Sequence, residues 1–82
     1  MKFEFPNLTS SQVALVRVDK NTGHLLDENF FIATSENQKV YTIFENANAA
    51  IVIADLIVKE KKDIECSIFD SFQNLIRLIS SD

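Results

Sequence analysis

Apolar and polar residues follow two different periods along this chain of 82 residues. Between residues 46 and 62, apolar positions recur at the three- and four-residue spacing of an α-helix, whereas shorter segments elsewhere alternate in the manner of strands. Asn46 is a favourable N-cap residue, since its side chain can accept a hydrogen bond from an amide of the first turn. Lys59, Lys61 and Lys62 suit the negative end of a helix dipole. The pattern therefore predicts one long helix over residues 46–62.

Apolar side chains surround more of this predicted helix than a single flat contact requires. The main stripe consists of Ala47, Ala50, Ile51, Ala54, Ile57 and Val58. Ala49, Ile53 and Leu56 lie beside it and widen the apolar arc to roughly 200°, against the ~100° of a typical one-sided helix. Val52 is an apolar residue on the opposite face, which is otherwise polar. Either loops of the same chain cover this surplus, or a second copy packs against it, with Ala49, Val52, Ile53 and Leu56 as the candidate interface.

The remaining periodic segments predict five strands. They are residues 13–18, a return strand that begins at 24–26 and resumes at 30–34 after an interruption at 27–29, and residues 39–44, 64–69 and 75–79. Gly23 suits the turn after the first strand because glycine readily adopts positive φ. The resulting order, β-β-β-α-β-β, predicts a single α+β domain over residues 1–82 in which one long helix packs on a mostly antiparallel sheet.

Several of these strands are apolar on both faces, although one helix covers only one face of a sheet. Val13 and Leu15 alternate with Ala14 and Val16, and residues 30–34 show the same two-sided pattern. A sheet with one solvated face should instead alternate apolar with polar residues. We therefore expect a second apolar surface that needs cover, and from it a homodimer. Phe3 and Phe5 also alternate, which predicts a short N-terminal strand docked on the sheet.

Charge and composition exclude several classes of partner. The net charge of −4 disfavours nucleic-acid binding, which needs a basic patch. Asp55 interrupts the apolar helix far short of the ~20 residues that span a bilayer. Glu4 lies where a secretory signal would have its apolar segment, so we expect a cytoplasmic protein without membrane contact, of the small α+β kind that bacteria encode.

The residues able to carry chemistry are few and scattered. Cys66 alternates with Ile64 and Ile68, which predicts a buried thiol acting as a small apolar side chain. The single cysteine and the single histidine, His24, form no metal-ligand spacing, so no metal or other cofactor is expected. Neither a glycine-rich phosphate loop nor a nucleophile motif is present.

Two function classes remain open. The first is a non-enzymatic protein-interaction or regulatory domain that acts as a homodimer. The second is a small-molecule binder or minor enzyme with its site in a dimer cleft near Asp19, His24 and Asp27. The second requires these three side chains to converge in a concave pocket.

Overall fold

One helix lies against an antiparallel five-stranded sheet in the computed structural model, which describes residues 3–81. The elements are β1 (Val13–Asp19), β2 (Leu25–Leu26), β3 (Tyr41–Phe44), α1 (Ala47–Glu60), β4 (Ile64–Phe69) and β5 (Leu75–Ser80). The predicted α+β class and the predicted order of strands and helix are confirmed.

Strand β1 is at the centre of the sheet. On one side it pairs with β4, and β4 pairs with β5, so that β5 forms an edge. On the other side, residues 13–16 of β1 pair with β3, and Arg17 and Val18 pair with β2. Strands β3 and β4 are both antiparallel to β1 and are therefore parallel to each other, with α1 as the connection between them.

Helix α1 begins and ends where the sequence predicts it, to within two residues. The Asn46 side chain accepts a hydrogen bond from the amide of Ala49 at 2.9 Å, which confirms the predicted N-cap. Ala50, Ala54 and Val58 are buried, and the other members of the predicted stripe are partly buried against the same core. The helix thus presents its small side chains to the sheet, so that the two backbones can approach closely.

The main core lies between α1 and the sheet. Val13 and Leu15 contribute from β1, and Ile64, Cys66 and Ile68 contribute from β4. Buried and partly buried positions alternate along β4, as its sequence predicts. The side chain of Cys66 is fully buried, so the predicted burial of the thiol is confirmed.

The second face of the sheet is covered in part by the segment before β1. The Phe5 ring lies 5.4 Å from the Tyr41 ring and 6.2 Å from the Phe69 ring, in edge-to-face geometry with both. Tyr41 and Phe69 are directly opposite Val16 and Ala14 of β1, and both of these are buried. Phe5 docks as predicted, but it does so without forming a strand. Much of the two-sided apolar pattern is therefore explained within one chain, which weakens one of the two arguments for a homodimer.

The predicted strand at residues 30–34 is wrong. Only Ile32 pairs, in an isolated bridge with Leu26. Asp27 accepts hydrogen bonds through its side chain from the amides of Asn29 and Phe31, and through its carbonyl from the amide of Phe30. These bonds close a turn in which Phe30 has a φ of 68°, so the chain folds back instead of continuing the strand.

Candidate functional site

Exposed apolar side chains are the most prominent feature of the surface, and they form two main groups. The helix surface is defined by Ala49, Val52, Ile53 and Leu56 on α1. The edge surface is defined by Leu75, Ile76 and Leu78 on β5. Among residues 3–81, the other large apolar side chains that are exposed are Phe31, Ile32, Ile43 and Phe72. Single exposed apolar residues are ordinary, whereas groups of them mark interaction sites.

The helix surface comprises the four residues that the sequence predicts as an interface. All four are exposed, with 59% of Val52, 40% of Ile53 and 53% of Leu56 accessible to solvent. No loop of the described chain covers them, so the interpretation in which the surplus is buried within the monomer does not hold for these side chains. That a second copy covers them stays a prediction.

The edge surface is a group that sequence reasoning did not identify as a site. Of the six residues of β5, only Ile79 is buried. Leu75 and Leu78 are each 53% exposed, and Ile76 is 45% exposed. Within residues 3–81, β5 pairs with β4 alone, so the backbone amides and carbonyls along its outer side have no strand partner. Open edges of this kind template pairing with another strand.

An open cleft of about 690 Å³ lies beside the C-terminal end of α1. Phe30, Phe31 and Ile32 form its apolar wall, and its charged lining combines two lysines with three acidic residues, namely Lys61, Lys62, Asp19, Glu60 and Asp63. The Lys61 ammonium lies 4.8 Å from the centre of the Phe30 ring, a cation–π contact. This contact ties the turn after β2 to the end of the helix.

The three side chains of the predicted small-molecule site lie in different environments. Asp19 lines the cleft beside α1, but neither His24 nor Asp27 is among the residues that line it. The His24 ring is exposed, with Nδ1 2.9 Å from the Thr22 hydroxyl oxygen in its own turn. Asp27 is buried, and its carboxylate accepts hydrogen bonds from the Gln38 side chain and from amides of its own loop. The described geometry therefore gives the three no shared concave site.

The Asp27 carboxylate organises the loop between β2 and β3. Gln38 donates a hydrogen bond to it at 2.8 Å and a second to the Ile32 carbonyl at 3.0 Å. The Gln38 hydrogen bond, with the amides of Phe31 and Asn29, holds the pKa of Asp27 below its usual value despite burial. The hydrogen bonds to the ionised Asp27 carboxylate therefore stabilise the folded state. This stabilisation is fully present above the ordinary Asp pKa and is lost as the pH falls through the lowered pKa.

Arg17 is the residue that sequence reasoning missed. It is 4% exposed, and its guanidinium donates to the carbonyls of Asp27 and Val40 and to the Thr42 hydroxyl at 2.9 to 3.1 Å. The Thr42 hydroxyl in turn donates to Glu28 at 2.7 Å. The burial of Arg17 could have been predicted from the sequence, because alternation along the strand places it on the same face as Val13 and Leu15, which point to the core. The network joins β1 to the loop and is structural rather than catalytic in its geometry.

Cys66 faces the helix, and burial raises the pKa of its thiol to about 11. A group of three or more metal-ligating side chains is not found among residues 3–81. In the same range, no helix has the length and apolar content needed to cross a bilayer. Comparison with protein-family models, with curated proteins and with solved structures finds no match to this chain.

Proposed function

We propose that this chain is a non-enzymatic protein-interaction domain that acts as a homodimer. The observation that carries the proposal is the edge surface, where a strand paired on one side only exposes three large apolar side chains on a chain of 82 residues. Small domains bury a limited fraction of their surface, and oligomerisation supplies further burial. A closed two-fold pair would protect an edge that otherwise invites open-ended association.

The polar groups support the same proposal. Arg17, Asp27 and Gln38 are fully engaged in holding the loop between β2 and β3. Cys66 is buried with a raised thiol pKa, which is the opposite of what a nucleophile requires. These side chains maintain the fold, and the surface offers apolar contact area rather than a set of reactive groups. We propose no second function, because the cleft that Asp19 lines includes neither His24 nor Asp27.

Sedimentation equilibrium over a concentration series from low micromolar to millimolar tests the homodimer. We expect a reversible transition from a mass near 9.3 kDa to twice that mass, with no larger species at the highest concentration. A mass that stays at 9.3 kDa throughout the series would refute the proposal. A mass that rises without limit would also refute it, because it would indicate open-ended association instead of a closed pair.

A further inference from the structure

We infer that the homodimer forms by antiparallel pairing of β5 with β5 of a second copy, so that two five-stranded sheets join into one continuous sheet. This inference rests on the proposed homodimer and specifies the surface that forms it. The partner is a second copy of this chain, and the contact combines main-chain hydrogen bonds with the side chains of the edge surface.

The first argument is that β5 has little of the usual protection of an edge strand, namely one charged side chain and one irregularity in its pairing. Proteins commonly guard open edges with proline, lysine, a very short strand or a covering loop. The sequence of β5 contains no proline and no lysine, and its six residues are long for a guarded edge. Its only charged side chain is Arg77. The irregularity in its pairing with β4 lies at Ile68 and Phe69, toward the start of β5, which leaves Arg77 to Ser80 in regular pairing.

The second argument is that charge selects one register. Ile79 and Arg77 are opposite Cys66 and Ile68, so they point to the helix side of the sheet, whereas Leu78 points to the other side. A two-fold axis perpendicular to a continuous sheet places residues of the same side opposite each other. The two central registers that satisfy this rule are centred on Arg77 or on Leu78. The first would oppose two guanidinium groups, and like charges directly opposite destabilise a pair. The register centred on Leu78 opposes two leucines instead, with Arg77 opposite Ile79 of the partner.

The third argument concerns the direction in which the flanks of α1 face. The β3–α1–β4 connection joins parallel strands, and about 98% of such connections are right-handed. In a right-handed connection, the side of α1 that carries Asp55 and Lys59 faces β5. The side that carries Ile53 and Glu60 faces β2. Glu60 does line the cleft together with Phe31, which follows β2 in the chain. The polar flank of the helix therefore borders the proposed seam.

The helices then meet with complementary charges. The buried positions of α1 recur every four residues, which is a rise of about 6 Å along the helix. Those of β4 recur every two residues, which is a rise of about 6.6 Å along the strand. The two series therefore advance nearly in step. Because α1 and β4 run antiparallel through a short connection, Val52 lies level with Leu78 near the two-fold axis. Antiparallel helices centred on Val52 bring Lys59 of one copy toward Glu45 of the other. The helices would lie about 14 Å apart, so these long side chains, rather than the helix backbones, make the contact.

This arrangement departs from the sequence-based prediction that a second copy covers Leu56. It leaves Leu56 outside the seam, and Leu56 is therefore a matched control for Leu78. Both are leucines, and both are 53% exposed in the single chain. Sedimentation equilibrium of the full chain should show that Leu78→Lys weakens dimerisation at least tenfold, since two ammonium groups would face each other at the axis. Leu56→Lys should change the dimerisation constant by less than about threefold. Far-UV circular dichroism of both variants checks that the fold is kept.

Cysteine cross-linking provides a second measurement that does not weaken the contact. Residues directly opposite in an antiparallel pair have Cα atoms about 4.5 to 5.5 Å apart, within the range of a disulfide. Mild oxidation of Leu78→Cys should give a covalent dimer, whereas Leu56→Cys and the wild-type chain, whose only cysteine is the buried Cys66, should not. If the wild type dimerises but Leu56→Lys abolishes the dimer and Leu78→Lys does not, this inference is overturned and the homodimer stands. If the Leu78→Cys variant is dimeric but fails to cross-link, the β5 pairing is likewise overturned and the homodimer stands. If the wild-type chain is monomeric, both the β5 pairing and the homodimer are overturned.

Discussion

Arg17 and Cys66 are directly opposite each other on β1 and β4, and burial perturbs both of them. It lowers the pKa of the Arg17 guanidinium and raises that of the Cys66 thiol to about 11, because in each case the charged form loses solvation. The positive charge of Arg17 opposes part of the shift at Cys66. An arginine side chain stays protonated at neutral pH even so. The neutral thiol of Cys66 therefore lies beside the charged guanidinium of Arg17. That guanidinium donates its hydrogen bonds to three uncharged acceptors.

The buried thiol predicts a slow reaction of Cys66 with a thiol reagent. In the folded protein at pH 8, the thiol is both inaccessible and protonated, so labelling should require opening of the structure. In denaturant, labelling should be fast. A labelling time course with and without denaturant measures this difference, and equal rates in the two conditions would contradict the described environment of Cys66.

The same raised pKa predicts a loss of stability at alkaline pH. The unfolded thiol loses its proton near 9.0 and the folded thiol near 11, so the unfolded state binds fewer protons in that interval. The free energy of unfolding should therefore fall as the pH rises from about 9 to about 11, by about 2 to 3 kcal/mol from this group. Cys66→Ala is the control, because alanine has no proton to lose. Denaturant titrations at several pH values should show a smaller decline for this variant.

Arg17 should be among the side chains most sensitive to substitution. Replacement of Arg17 by Met keeps the apolar stem but removes the side-chain donor of the Val40 carbonyl and one of the two donors of the Asp27 carbonyl, which should cost about 2 to 4 kcal/mol. Lys39→Met is the control, because Lys39 is exposed, and its effect should stay within about 0.5 kcal/mol. Urea titrations of both variants provide the test. Equal effects would mean that the hydrogen bonds of Arg17 do not hold the loop.

At the scale of elements, the helix phase has a matched pair of valines that tests it. Val58 faces the sheet and is 6% exposed, whereas Val52 lies on the outer side of the same helix. Val58→Ala should lower the free energy of unfolding by about 1 to 3 kcal/mol, because it removes buried methyl groups. Val52→Ala should change the unfolding of the monomer by less than about 0.5 kcal/mol. Denaturant titration at a concentration where the protein is monomeric makes the comparison. A larger effect at Val52 would mean that the helix is turned the other way.

Long periodic elements were predictable from the sequence, and segments fixed by side-chain hydrogen bonds were not. Helix α1 combines a capping residue with four turns of regular spacing, so both its position and its buried stripe follow from the pattern. Residues 30–34 carry a strand-like pattern, yet the Asp27 side chain captures two amides and closes a turn. A carboxylate that bonds to nearby backbone competes with strand formation in a way that alternation does not register.

Of the two exposed apolar surfaces, one could be predicted from the sequence and the other could not. The exposed flank of α1 follows from the width of its apolar arc, and the residues predicted there are exposed. The edge surface could not be predicted, because the alternation along residues 75–79 does not reveal whether that strand lies inside the sheet or at its edge. That information depends on strand order, which here places β4 between β1 and β5.

For the whole molecule, the two faces of the sheet are covered by different means. Helix α1 covers one face, and the N-terminal segment with Phe5 covers part of the other. The apolar residues that remain exposed are concentrated on the outer side of α1 and along β5. The account therefore places self-association at the open edge, where unpaired backbone groups and apolar side chains coincide.

Amide hydrogen exchange at two protein concentrations tests this claim most directly. If β5 pairs with β5 of a second copy, the outward amides between residues 75 and 80 should exchange more slowly at a concentration where the dimer predominates than at one where the monomer does. The amides of β1, which is flanked by paired strands in the single chain, serve as the internal control and should exchange equally at both concentrations. Equal exchange of the β5 amides at the two concentrations, in samples whose masses are those of dimer and monomer, would contradict the account.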